Sequence, residues 1–201
     1  MRFFRTWPIA AWIYPAALFR LKTSLKEIVL TFDDGPDPSS TLIILDILRE
    51  YNARAMFFCS GRKAEKYPGL IDEIRKAGHV LGNHGYDHLD GLRTGLNEYL
   101  LNASRADSFT SDVYFRPPRG RMGIRQYRDL SRKYRIVMWD LMPYDFDLDL
   151  DDKAILDVLT RKTRPGSVIV LHDSKDSSGP LILRSFLDWA MKEGYSFVLP
   201  V

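Results

Sequence analysis

A chain of 201 residues with 45% hydrophobic and 27% charged side chains is long enough for one well-buried core and short for two, so a single globular domain is expected. Its 29 basic and 26 acidic residues leave a formal charge of +3, spread without long runs of one sign. That pattern argues against an electrostatic grip on nucleic acid and suits a neutral or mildly anionic small partner. The single cysteine, Cys59, excludes an internal disulfide and a cysteine-based zinc site, leaving His, Asp and Glu as candidate ligands; within AMFFC it reads as a buried small hydrophobe.

The first stretch, MRFFRTWPIAAWIYPAALFRLK, combines early arginines with a short apolar run, as an export signal does. Pro8 and Pro15 interrupt it, no small-x-small cleavage site follows, and it is too short to span a bilayer as a helix. Residues 1–27 are therefore expected to form an aromatic-rich extension packed on the domain, with a membrane-surface anchor as the alternative. A cytoplasmic or membrane-surface location is favoured over secretion, and no transmembrane helix is expected.

From residue 28 the chain alternates. Strand-like runs fall at Ile28 to Phe32, Ala55 to Cys59, His79 to Gly82, Val113 to Phe115, Ile136 to Trp139, Val168 to Leu171 and Ser196 to Leu199. Helical patterns separate most of them: LIILDILREY after the caps Ser39, Ser40 and Thr41; an apolar-periodic turn from Pro68 through Ile71 and Ile74 to Gly78; KAILDVLTRK capped by Asp151 or Asp152; and Leu181 to Lys192, stopped by Gly194. Such alternation implies an α/β protein with a parallel sheet covered by helices, either doubly wound or a (β/α) barrel.

Polar residues gather where the strands end. Asp33 and Asp34 follow the first strand, His84 and His88 the third, Arg116 the fourth, Asp140 and Asp145 the fifth, and His172 and Asp173 the sixth. The carboxyl edge of a parallel sheet is where active sites assemble, and a barrel explains convergence from five strands more easily than a switch-point crevice.

In NHGYDH, His84 and His88 are spaced i, i+4, which suits two ligands of one ion. A zinc protease would carry Glu after the first histidine; Gly85 stands there, so any base comes from elsewhere. Neighbouring residues leaving a strand point in opposite directions, so one carboxylate of the Asp33–Asp34 pair can complete a His2Asp site while the other stays free as a base.

TFDDGP, NHGYDH, FRPPRG, WDLMPYDFD and IVLHDS, in this order, resemble the five motifs of the polysaccharide deacetylases, carbohydrate esterase family 4 or the NodB-homology domain. The likeness covers residues 28 to 199, so 28–201 is expected to be the catalytic domain. It implies a distorted (β/α) barrel of seven or eight parallel strands and metal-dependent removal of acetyl groups, chiefly N-acetyl, from a sugar or glycan such as an N-acetylglucosamine polymer. By the resemblance Asp33 is the general base and Asp34, His84 and His88 hold a divalent metal ion, Zn2+ first, Co2+ or another ion second. Arg116 pairs with the base, His172 is the general acid, Asp145 orients and charges it, and the backbone N–H of Arg119 donates to the oxyanion.

Departures from the family pattern are local. Arg119 stands where an aromatic is common, Gly85 replaces a Ser or Thr, Met142 an Asp and Phe146 a Trp. Phe146 is expected to wall an acetyl-methyl pocket with Val170 or Leu171. The rival readings are hydrolysis of a small non-glycan amide and a non-catalytic carbohydrate-binding relative. His79 reads as a structural histidine at a strand start, Asp87 as solvent-facing, Asp173 as support for the loop after His172, and Trp139 and Asp140 as supports behind the site. Asp147, Asp149, Asp151 and Asp152 read as a solvated loop leading into a helix.

Overall fold

The computed structural model describes residues 4–5 and 8–200. The central strand, β1 (Glu27–Asp33), runs between β2 (Ala55–Cys59) and β6 (Val168–His172). Beyond β2 follow β3 (Val80–Asn83), β4 (Tyr114–Phe115) and β5 (Arg135–Ile136), giving the order β5-β4-β3-β2-β1-β6. Every pairing is parallel, and β7 (Ser196–Phe197) joins the starting end of β1.

Irregular backbone closes this curled sheet into a distorted barrel. The amides of Asp140 and Leu141 both donate to the Val168 carbonyl at 2.9 and 3.1 Å, and the Val170 amide donates to the Leu141 carbonyl at 3.0 Å. Lower down, the Leu18 amide donates to the Ile136 carbonyl at 2.8 Å and its carbonyl accepts from the Met138 amide at 2.8 Å. The expected fifth strand, Ile136 to Trp139, is therefore corrected to Arg135–Ile136. Beyond Ile136 the backbone takes up bonds to Leu18 and then to β6, outside any regular ladder.

Alternation along β1 builds two layers. Ile28, Leu30 and Phe32 join the outer core with Phe57, Ile169 and Leu171, while Val29 packs in the barrel with Met56, Phe58, Val137 and Val168. The outer core is covered by α2 (Thr41–Glu50), which buries Ile44, Leu45, Ile47 and Leu48, and by α8 (Gly179–Lys192), which buries Ile182, Leu183, Phe186 and Leu187. Burial of such side chains stabilises by about 1.5–3 kcal/mol each, before the entropy of ordering them is set against it.

The short helices α1 (Pro8–Ile13), α3 (Gly61–Lys66) and α4 (Pro68–Lys76) precede α5 (Leu96–Ala106), α6 (Ile124–Leu130) and α7 (Asp152–Lys162). Asp151 caps α7 by accepting the Ala154 amide at 2.7 Å. His79 stands just before β3 and accepts the Ala55 amide at 3.3 Å; burial, with Arg54 nearby, pushes its pKa down to about 4, so it is a neutral structural acceptor. Cys59 is buried, and burial beside Asp173 and Asp33 keeps its thiol protonated. No helix among the described residues is long and apolar enough to cross a membrane.

Of residues 1–27, numbers 1–3 and 6–7 lie outside the described residues. The Met142 amide donates to the Phe4 carbonyl at 3.0 Å, and the Arg5 guanidinium donates to Asp140 at 2.8 Å and to the Lys162 carbonyl. The Tyr14 hydroxyl donates to the Met122 carbonyl at 2.6 Å.

Candidate active site

Sheet register brings the site together. Asp33 is level with His172 across β1–β6 and with Phe58 across β1–β2, and Asn83, the residue before His84, is level with Cys59 and with Phe115, the residue before Arg116. Residues distant in sequence thus leave neighbouring strands in one layer at the carboxyl edge.

Asp34, His84 and His88 offer ligand atoms that all lie within 4.8 Å of one another. Asp34 Oδ1 is 3.2 Å from His88 Nε2 and 3.6 Å from His84 Nε2. Ligands about 2.0–2.1 Å from a tetrahedral ion sit roughly 3.3 Å apart, so two imidazoles and a carboxylate at these spacings fit Zn2+ or a similar divalent cation. His84 Nδ1 lies 2.8 Å from the Arg116 carbonyl, which fixes Nδ1 as the protonated nitrogen and leaves the Nε2 lone pair facing Asp34. Burial lowers the pKa of His84 against the opposing pull of Asp33 and Asp34, favouring the neutral form a metal requires. Burial opposes the charge on Asp34, but the His88 hydrogen bond and the nearby imidazoles outweigh it and hold the carboxyl far below its usual range.

The loop around these ligands is set by its own backbone. Asp34 and His88 both adopt left-handed conformations, φ 71° and 53°, a region in which Asp and His are enriched among non-glycine residues. Asp87, expected in solvent, instead pairs with Arg62 and accepts from Asn102 at 3.0 Å. This correction has a simple cause: Arg62 and Asn102 reach it from α3 and α5, elements placed beside the loop only by the tertiary fold.

Asp33 and Arg116 form the buried heart of the site. Arg116 Nη1 lies 2.7 Å from Asp33 Oδ1 and 2.6 Å from the Thr31 hydroxyl, while Nε and Nη2 reach the carbonyls of Val137 and Met138 at 3.0 and 2.8 Å. Its guanidinium lies 4.2 Å from the Phe58 ring centroid. With every face occupied, Arg116 locks one oxygen of Asp33; the other, Oδ2, is 3.9 Å from His84 Nε2.

His172 and Asp145 make a second fixed pair. Asp145 Oδ1 meets His172 Nδ1 at 2.7 Å and Oδ2 accepts the His172 amide at 2.8 Å. Burial disfavours the imidazolium, yet the Asp145 charge and hydrogen bond, with Asp33 and Asp34 behind them, raise the His172 pKa to about 9. Next along, Asp173 accepts the Ser40 and Thr41 hydroxyls at 2.5 and 2.6 Å, and its amide donates to the Asp33 carbonyl at 2.8 Å. It supports the site from behind.

These groups open into a cleft of about 350 Å3 lined by Asp33, Asp34, His84, His88, Arg119 and Gly120, with Trp139, Met142, Phe146 and His172. Phe146 meets His172 edge-on with ring centroids 4.7 Å apart. Val170 and Leu171 do not line the cleft: Leu171 packs in the outer core, and Val170 is buried one rung below His172. Trp139, expected as a support behind the site, is corrected to a wall of the cleft, its indole packed against Gly120 of the rim turn, and Met142 lines the cleft beside it. Asp140 lies away from the cleft, bonded to Arg5, Arg164 and Ser167. A groove of about 550 Å3 between α2 and α4 is lined by Asp46, Arg49, Arg54, Glu73, Lys76 and His79 among others.

A parallel barrel whose rim gathers an Arg-held carboxylate, a carboxylate-held imidazole and a His2Asp cluster has the framework of the family 4 carbohydrate esterases. The chain belongs to the polysaccharide deacetylase family, whose model matches residues 20–139. It is 30% identical over 183 residues to a peptidoglycan-N-acetylglucosamine deacetylase of Bacillus cereus, covering 86% of this chain and 85% of that one. It is 33% identical over 162 residues to a chitooligosaccharide deacetylase of Azorhizobium caulinodans, covering 77% of each. The crystal structure of the Bc1960 peptidoglycan N-acetylglucosamine deacetylase superposes with a TM-score of 0.88 at 28% identity, covering 96% of this chain and 94% of that one.

Proposed function

We propose that this protein hydrolyses the N-acetyl group of a sugar within a glycan, with a divalent metal ion, Zn2+ first and Co2+ or another ion second, held by Asp34, His84 and His88. Residues 28–201 would form the catalytic domain and residues 1–27 an extension braced against it. The observation that carries the reading is the placement of Asp33 and His172 level with each other on adjacent strands, both lining the cleft that holds the ligand triad. A binding protein has no use for such a pair.

Amide hydrolysis needs an activated water, a site for the tetrahedral oxyanion and a proton for the leaving nitrogen. When bound, the ion acts as a Lewis acid, activating water and polarising a carbonyl. Asp33, clamped through Oδ1 by Arg116, takes the proton of the attacking water. His172, held at Nδ1 by Asp145, gives its proton from Nε2 to the departing amine. Acid or base roles of this kind contribute ~10²–10⁴-fold each. Arg119 lies in the short 3-10 turn Pro118–Gly120 at φ 59°, where the first amides lack intrahelical partners, and its N–H serves the oxyanion. Trp139, Met142 and Phe146 supply the apolar wall for the acetyl methyl.

The test is acetate release from N-acetylglucosamine oligomers and peptidoglycan fragments by metal-stripped protein, before and after Zn2+ or Co2+ is added. Release restored by metal is expected, with Asp33→Asn retaining the ion and losing at least ~10²-fold in rate. Stoichiometric metal binding with no release from any acetylated glycan would overturn the reading and turn the search to small amides.

A further inference from the structure

We infer that the Arg119 side chain reads a carboxylate on the substrate, so that the preferred glycan is anionic at or beside the acetylated sugar; this rests on the deacetylase reading above. The argument begins with the charges that line the cleft. Asp33 is paired with Arg116, His172 with Asp145, and Asp34 with two imidazoles. Asp33 and His172 thus find their counter-charges within the site, while Asp34 sits between the two imidazoles that would share an ion with it. Arg119 lines the same cleft, is exposed, and among the described residues its guanidinium makes no hydrogen bond or ion pair.

Asp90, a carboxylate that feels the charge of Arg119, is already engaged. Arg121 Nη2 and Nε reach Asp90 at 2.5 and 3.2 Å, and Arg93 stands 3.9 Å away, so the attraction between Arg119 and Asp90 is shared with two closer competitors. A divalent ion on the triad would add positive charge to the same cleft. An uncharged sugar has no group that answers this surplus, whereas a carboxylate matches the planar fork of a guanidinium with two parallel hydrogen bonds.

Backbone geometry fixes the point from which the Arg119 side chain leaves the rim. Pro117 and Pro118 precede Arg119, the Gly120 amide returns to the Pro117 carbonyl at 2.9 Å, and Gly120 packs so closely on Trp139 that a Cβ there would fall 1.9 Å from the indole. The side chain therefore projects from a fixed point on the rim, beside the position its own backbone N–H gives the acetyl oxygen. A carboxylate it holds must sit close to the reacting sugar, on that ring or the next.

The experiment compares kcat/KM for acetate release from matched oligosaccharides: an N-acetylglucosamine oligomer, a peptide-free oligomer alternating N-acetylglucosamine with N-acetylmuramic acid, the same oligomer with its lactyl carboxyl converted to the amide, and an N-acetylated oligomer bearing a neighbouring uronic acid. The acid form is expected to exceed its amide form by about tenfold, the size of a hydrogen bond to a charged group. The ratio should fall towards one in Arg119→Gln, persist in Arg119→Lys and shrink with added salt. Whichever arm, lactyl or uronate, shows the larger ratio locates the carboxylate. Equal rates for acid and amide forms, or a ratio that survives Arg119→Gln, would overturn the inference while leaving the deacetylase reading intact. No release from any glycan would instead remove the deacetylase reading, and this one with it.

Discussion

His172 owes its charge to Asp145, and that dependence sets two measurable properties. Its pKa is raised in the folded chain from 6.5 to about 9, so protonation favours the folded state. The stabilisation is complete below about pH 6.5 and is lost as pH rises through about 9. In metal-free protein the His172 ring resonances should titrate near pH 9 by NMR, and Asp145→Asn should bring the midpoint down towards 6.5; an unmoved midpoint would separate the two residues. Arg116 is the other buried partner. Arg116→Met would leave Asp33 buried without its cation and should cost about 3–5 kcal/mol, read from urea unfolding. That Asp33, Asp34, His84, His88, Arg116, Asp145 and His172 gather at one edge of the sheet was legible in sequence, because polar residues at the ends of apolar strands have few other reasons to be there. Val170 and Leu171 were not placed correctly, since VIVLH is buried on both faces and offers no alternation to say which side meets the cleft.

Among the elements, the turn that carries Arg119 is the most exacting. Gly120 has φ +66° and no room for a Cβ against Trp139. Gly120→Ala should therefore lower the melting temperature and, below it, reduce acetate release, because either Trp139 or the Arg119 amide must move. A variant with wild-type activity and stability would show that the turn tolerates rearrangement. Elements with strong periodicity, such as α2 and α8, could be read directly. The α5 sequence LNEYLLNASRA buries only Tyr99, Ala103 and Ala106, and α6 buries Gln126, Tyr127 and Leu130, stripes too small or too polar to stand out from loop sequence. α3 is six residues long and buries Gly61 and Ala64, leaving almost no signal.

At the scale of the whole molecule, barrel closure depends on pieces that are not strands. Leu18 and Leu141 bridge the gap between β5 and β6, and the first described residues hold the segment that leads to Asp145 and Phe146. The Met142 amide should therefore be protected from hydrogen exchange, and a variant lacking residues 1–7 should expose it; equal protection would show that Phe4 is dispensable. No local pattern announces such closure, because single main-chain bonds between remote segments carry no hydrophobic period. Strand order was likewise beyond local reading, although the alternation of strand and helix restricted it to a parallel sheet.

The matched register of Asp33 and His172 has a consequence for how such a protein diversifies. Neighbouring strands keep a spacing of about 4.8 Å through main-chain bonds that do not depend on side-chain identity. The gap into which a scissile bond must fit is thus gauged by the backbone, whereas the loops that select a glycan hang from the rim. Exchange of those loops can change what enters the gap without recalibrating its width.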